Sequence, residues 1–254
     1  MQQSHTKVLL MAAGMGTRLR PLTDDTPKCL IPIAGRPLLD YWFDLFAAAG
    51  LHDILINTHH LPHKVRTYLD RINHLGQFRV QEAYEPTLLG SAGTVHHNRN
   101  WIAPNETALI IYADNLSNVD LSSLLSFHHS HNGPMTMLLF RAPYPERCGI
   151  AKMDDSARII EFVEKPKNPR TNLANGGIYA LSAAAYHEMA DMNRFDLGFD
   201  VLPAFVGRMF GWIWQGYHQD IGTIEARDQA ERDVRAGRLA ASFVGSASAD
   251  VEGA

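Results

Sequence analysis

The chain has 254 residues, 46% of them hydrophobic and 20% charged, with a formal net charge of -4 at pH 7. That length can bury a full core in one large domain, and that composition excludes disorder-dominated and fibrous classes. A slightly acidic chain lacks the basic excess of a protein that grips nucleic acid, so no nucleic-acid partner is expected and any anion must meet a local site.

Cys29 and Cys148 are far apart and lack C-x-x-C spacing, which argues against a disulfide scaffold or a cysteine-built zinc site. The sequence has no membrane-length apolar run, and the first residues, "MQQSHTK", have none of the regions of a signal peptide. A cytoplasmic protein without a membrane partner is the expectation.

In chain order, "KVLLMAA" (residues 7–13) predicts a buried strand, followed by a long aperiodic segment, "AAGMGTRLRPLTDDTPKCLIPIAGRPLL". A strand running into Gly14 and Gly16 suggests a phosphate loop, because glycines let backbone N–H groups approach an anion closely. The dinucleotide fingerprint needs a glycine where Leu19 stands, and the Walker pattern needs Gly-Lys-Ser/Thr. A tight turn is the plain alternative. Against it, Arg18, Arg20 and Lys28 share the segment with Pro21, Pro27 and Pro32, which restrict the backbone carrying those cations and so suit a polyphosphate.

Leu38 to Ala49 has apolar residues at helical spacing and stops at Gly50. The runs "DILIN", "FRVQEA", "ALIIYAD" and "MTMLLF" then read as further strands separated by helical patterning. Together they predict an α/β protein with a Rossmann-like, doubly wound sheet. "CGIAKMD", "RIIEFVEK" and "GGIYALS" look like shorter strands of a mixed or antiparallel, β-rich extension forming a lid or wall. "GWIWQGYHQD" reads as one more strand, with Trp212 and Trp214 on one face for core or interface packing, and a helix is expected from Thr223 to Ala236. Residues 1–237 are expected to form one domain and 238–254 a flexible tail. Thirteen histidines, including "HHSH" at residues 128–131, lack the spacing of a structural metal site.

Between Gly14 and Leu38 the sequence has G-x-G-T-R-L-x-P-L-T, then P-K, then P and G-x-P-L. "LLGSAGTV", "FVEKP", "NGGIYAL", "FDVLP" and "HQDIGT" follow in order. This series resembles the sugar-1-phosphate nucleotidyltransferases over roughly residues 7 to 230. The resemblance implies attack by a sugar phosphate on the α-phosphorus of a nucleoside triphosphate, with release of pyrophosphate. It also implies Mg2+ as cofactor and those two substrates as partners. Arg18 and Lys28 would be catalytic. Ala13, Gly14, Gly16, Thr17, Glu85, Gly90 and Gly93 would bind the nucleotide, and Asp114 and Asp220 the metal. Glu164, Lys165, Asn175 and Gly176 would serve the sugar phosphate, while Asp200 fits the pattern with a role that stays open.

Two residues depart from the family pattern, Ala113 where glycine is common and Ser91 where threonine is common; the alanine would narrow the space near the ribose. The carboxylate of Glu85 can accept from both N–H groups on guanine's Watson–Crick edge, which leans towards GTP with a mannose or manno-heptose 1-phosphate. A uridylyltransferase on another sugar phosphate and a non-catalytic regulator that binds nucleotide sugars are the alternatives. A homo-oligomer built on exposed aromatics near Trp212 and Trp214 is a further expectation.

Overall fold

The computed structural model describes residues 5–240. The start of the "MQQSHTK" segment and most of the expected 238–254 tail lie outside these residues. Residues 238–240 lie within them and are anchored: Arg238 pairs with Asp233, and the Leu239 carbonyl accepts from Asn118 Nδ2 at 2.7 Å.

The strands are β1 (Thr6–Met11), β2 (Pro32–Ile33), β3 (Arg36–Pro37), β4 (Asp53–Thr58), β5 (Arg79–Tyr84), β6 (Thr107–Tyr112) and β7 (Asn115–Ser117), then β8 (Met135–Arg141), β9 (Gly149–Met153), β10 (Ile159–Glu164), β11 (Leu173–Ser182), β12 (Phe210–Ile213) and β13 (His218–Asp220). The helices are α1 (Leu22–Asp25), α2 (Leu38–Ala48), α3 (Pro62–His74), α4 (Gly90–His97), α5 (Leu121–Ser130), α6 (Ala183–Asp191) and α7 (Ile224–Arg235).

In the main sheet, β1 lies between β4 and β6 and runs parallel to both; β5 extends the sheet beyond β4. On the other side β11 runs antiparallel to β6 and β8, and β12 is parallel to β8. The antiparallel pair β9–β10 attaches where Ala174 meets Ile150 and forms the expected β-rich extension, whereas "GGIYALS", expected there as a third short strand, belongs to the long β11 inside the main sheet, where β6 and β8 pair with it. "GWIWQGYHQD" forms two strands: β12 stays in the main sheet, while β13 leaves it to pair with β7. The break falls at Gln215–Gly216, where the Trp214 ring fills the space a Cβ on Gly216 would need.

The strands read as unbroken apolar runs because helices cover both faces. Leu9, Leu55 and Ile110 face α4 and α6, whereas Val8, Leu10, Ile56 and Ile111 face α2, α3 and α5. Side chains alternate between the faces with the period of two that β geometry imposes. Helix starts follow from capping side chains: Asp120, Ser182 and Thr223 accept from the backbone N–H three residues on, opening α5, α6 and α7. Trp212 and Trp214 stack on each other at 5.7 Å and are half-buried against the second of these cores. They form part of its packing, so the exposed aromatic patch expected there does not exist.

Candidate active site

In an open parallel sheet a cleft opens where neighbouring connections leave in opposite directions, outside the carboxyl ends of the strands. Here that place is the end of β1, with β4 on one side and β6 on the other. A cavity of about 230 Å³ lies there, lined by the segment after β1, by Asn57 at the end of β4 and by Tyr112 to Asp114 at the end of β6.

Of the residues expected to bind the nucleotide, Ala13, Gly14, Glu85 and Gly90 line this cavity together with Lys28 and Asp114. Gly14 is exposed, with open space where a Cβ would project. Gly16 has φ 61, and a Cβ there would stand 2.8 Å from Thr23 Cγ2 and 3.1 Å from Lys28 Cβ, so only glycine lets the loop fold this tightly against Lys28. Thr17 and Arg18 belong to the exposed turn that follows. Gly90 opens α4 at φ 76, where a Cβ would strike the Phe195 carbonyl. Gly93 is inside α4 against Leu89 and is not part of the cavity wall.

Lys28 is nearly buried, and its Nζ donates to Asp114 Oδ2 at 2.6 Å and stands 3.7 Å from Asp220 Oδ1. The two acids come from distant parts of the chain. Pairing of β13 with β7 sets Asp220 opposite Asn115, and the Ile221 N–H donates to the Asp114 carbonyl at 2.8 Å. Desolvation in the cleft first, and the Asp114 charge second, raise the Asp220 carboxyl above the usual range; Lys28 and Arg18 act against the rise. Two carboxylates share one lysine, so the local negative charge is not fully balanced. Hard oxygen donors in that state fit a hard divalent cation that also takes phosphate oxygens and water. Among the described residues no group of three or more His, Cys, Asp or Glu could hold a metal by itself.

Of the residues expected to serve the sugar phosphate, Glu164 ends β10 and Lys165 follows with φ 49; the Lys165 N–H donates to the Cys148 carbonyl. Lys165 Nζ stands 3.7 Å from Glu164 Oε1 and 5.6 Å from the centre of the Phe199 ring. Burial raises the Glu164 carboxyl, with Lys165 opposing and Asp196 adding to the rise. Tyr112 connects the halves: it lines the cavity and interacts electrostatically with Asp114, Glu164 and Asp196. Asn175 is partly engaged within its own strand, donating to Tyr179 Oη at 2.7 Å and accepting from Gly177 N–H at 2.9 Å. Gly176 was expected to leave room for a sugar. Instead, a Cβ there would strike the Leu138 side chain and lie 3.2 Å from His218 Nε2, so its smallness serves packing beneath the site. Asp200 caps its own turn, its Oδ2 accepting from the Asp196 N–H at 2.9 Å.

Glu85 is 1% exposed, and its carboxylate is already engaged. Oε1 accepts from Asn57 Nδ2 at 2.8 Å and Thr94 Oγ1 at 2.6 Å, and Oε2 accepts from the Leu89 N–H at 3.1 Å. A carboxylate so occupied cannot present both oxygens to a guanine edge, which removes the reason for preferring GTP. Asn57, missed in the sequence, is the centre of this network: its Oδ1 also accepts from Ala12 N–H at 2.6 Å and Ala13 N–H at 3.3 Å. The available signal was a polar residue ending an otherwise apolar strand.

A model of the family described as "Nucleotidyl transferase" matches residues 7–236. The chain belongs to this family. Among curated relatives, this nucleotidyl transferase is 29% identical to the mannose-1-phosphate guanylyltransferase of Mycobacterium tuberculosis, over 85% of this chain and 61% of that protein. It is 28% identical to the glucose-1-phosphate adenylyltransferase of Bacillus mycoides, over 92% of this chain and 69% of that one. The chain thus spans about two thirds of the length of these relatives. The fold is shared with a Bacillus anthracis protein described as a glucose-1-phosphate thymidylyltransferase and crystallised with sucrose, at TM-score 0.79 and 22% identity over 91% of this chain and 95% of that one. It is also shared with HddC from Yersinia pseudotuberculosis in complex with GMP-PN, at TM-score 0.74 and 23% identity over 90% and 99%.

Proposed function

We propose that this protein condenses a nucleoside triphosphate with a sugar 1-phosphate to give a nucleotide sugar and pyrophosphate. The observation that carries the reading is the placement of Lys28 Nζ against Asp114 and Asp220 at the mouth of the switch-point cavity. Relatives named for transfer of guanylyl and adenylyl groups to sugar phosphates support it.

The nucleophile needs no generated base, because a phosphate monoester with a second pKa of about 6 is already mostly dianionic at neutral pH. The protein's task is to hold two polyanions together and to stabilise charge that develops on the leaving group. Lys28 lines the cavity that would take the triphosphate, and the Arg18 guanidinium, within reach of Gly222 and Asp220, would meet the leaving pyrophosphate. Lys165, flanked by Glu164, receives the sugar's phosphate. Asp114 and Asp220 would hold Mg2+. Bound there, the ion supplies positive charge shared by the phosphates.

A reducing, cytoplasmic setting suits the thiols. Cys29 lines the cavity but is buried and pushed up to about 12, and neither cysteine is bridged. The test is pyrophosphate release with magnesium across GTP, UTP, dTTP, CTP and ATP, each against a panel of sugar 1-phosphates. One productive pair establishes the reaction and names both substrates. Tight nucleotide-sugar binding with no release in any pair would instead identify a non-catalytic binder.

A further inference from the structure

The segment that reaches Lys165 carries two phenyl rings that the core does not use. Phe195 is 64% and Phe199 58% exposed, four residues apart, the first just before and the second within a short helical turn, Leu197–Val201. Their placement is well held. Asp196 accepts from the Phe199 N–H at 2.9 Å, Ser91 Oγ accepts from the Leu197 N–H at 2.8 Å, and the Phe195 carbonyl accepts from the Ala92 N–H at 3.0 Å.

The rings flank the two halves of the cleft. Phe195 lies over Gly90, on the cavity wall, where a Cβ would come 2.9 Å from its ring carbons. Phe199 lies 5.6 Å from Lys165 Nζ, and between the rings Gly198 packs on the Glu164 carboxylate, which a Cβ would approach to 2.8 Å. A sugar phosphate paired with Lys165 therefore sits beside the Phe199 face, with Phe195 leading into the same turn from the Gly90 side. Plain hydroxyl groups gain nothing there, whereas an acyl or deoxy-methyl substituent removes phenyl surface from water.

Building on the reaction proposed above, we propose that Phe195 and Phe199 determine sugar specificity, selecting sugar 1-phosphates that carry an apolar substituent over the plain hexose phosphate.

The experiment measures equilibrium binding of glucose 1-phosphate, 6-deoxyglucose 1-phosphate, N-acetylglucosamine 1-phosphate and N-acetylmuramic acid 1-phosphate. The full chain is used with magnesium and a non-hydrolysable triphosphate, alongside Phe195→Ala, Phe199→Ala and Phe199→Leu. At least one substituted sugar is expected to bind about tenfold more tightly than glucose 1-phosphate. Either alanine variant should bring that ratio within about twofold, Phe199→Ala without changing triphosphate affinity, and leucine should restore part of it. Equal binding of all four sugars overturns the inference, as does an unchanged ratio in both alanine variants or a change only in oligomeric state. Turnover is scored separately: selective binding without pyrophosphate release leaves this inference standing and removes the reaction, while turnover without selectivity does the reverse. Absence of binding by every sugar phosphate overturns both.

Discussion

Lys28 is the residue at which the cleft's charges meet. A cation so nearly enclosed needs carboxylates beside it to offset its lost hydration, and Asp114 and Asp220 stand 2.6 and 3.7 Å from its Nζ. The same carboxylates face the cleft, where a cation and the triphosphate would share them. Asp114→Asn removes one of those charges from a side chain that is 40% exposed and carries little packing. Turnover is expected to fall by about 10²–10³-fold or more, with a melting temperature within a few degrees of the parent. The comparison needs kcat at saturating magnesium and a thermal scan of both proteins. Near-parental kcat would take Asp114 out of the reaction centre.

At the scale of elements, the site depends on four strand and helix ends held in register by one buried amide. Asn57 links the loop after β1, through two backbone N–H groups, to Glu85 beyond β5 and to Thr94 in α4. Asn57→Ala leaves a buried carboxylate short of one donor and two amides without their acceptor. The expected cost is about 2–3 kcal/mol in urea unfolding, because buried polar groups lose their partners outright. The loop that carries Gly14 should loosen with it, raising KM for the triphosphate about tenfold while KM for the sugar phosphate changes much less. If stability falls and both KM values stay at the parental level, Asn57 supports the fold without ordering the loop.

At the scale of the whole molecule, acid should act through the histidines between α5 and β8. His128 is 5% exposed, accepts or donates at Thr136 Oγ1 at 3.0 Å, and is lowered to about 3, first by burial and then by its neighbours His129 and His131. His131 is lowered as well, by burial and by His129. Both are neutral in the folded protein at pH values where they would be charged in the unfolded chain. Their stabilising effect is therefore fully present above about pH 6.5 and is lost as pH falls towards the folded value. From pH 7.5 to 5.5, His128 alone should lower stability by about 1 kcal/mol. Unfolding midpoints of the parent and of His128→Asn at the two pH values check this: the variant should show the smaller loss, and equal losses would place the acid sensitivity elsewhere.

The periodic strands of the first half, the helix from Leu38, the antiparallel extension and the family were legible in the sequence, because apolar periodicity and ordered local motifs are properties of neighbouring residues. The positions of Arg18 and Lys28 in the loop after β1 and of Asp114 after β6 were legible for the same reason, as charged residues in a loop or at a strand end. Tertiary structure alone decided the remainder. The division of "GWIWQGYHQD" into β12 and β13 depends on which partner each half meets, and only that division brings Asp220 to Lys28. Glu85 looks in isolation like a free acceptor; the fold brings it Asn57 from 28 residues away, and the turn into α4 folds the nearby Leu89 and Thr94 donors onto it. Gly93 fitted the glycine-rich nucleotide segment and Gly176 the sugar-side strand motif, yet their surroundings made one a helix interior and the other a packing contact. Local sequence determines which residues can do the chemistry. Contacts between segments tens to more than a hundred residues apart determine which of them are free to do it.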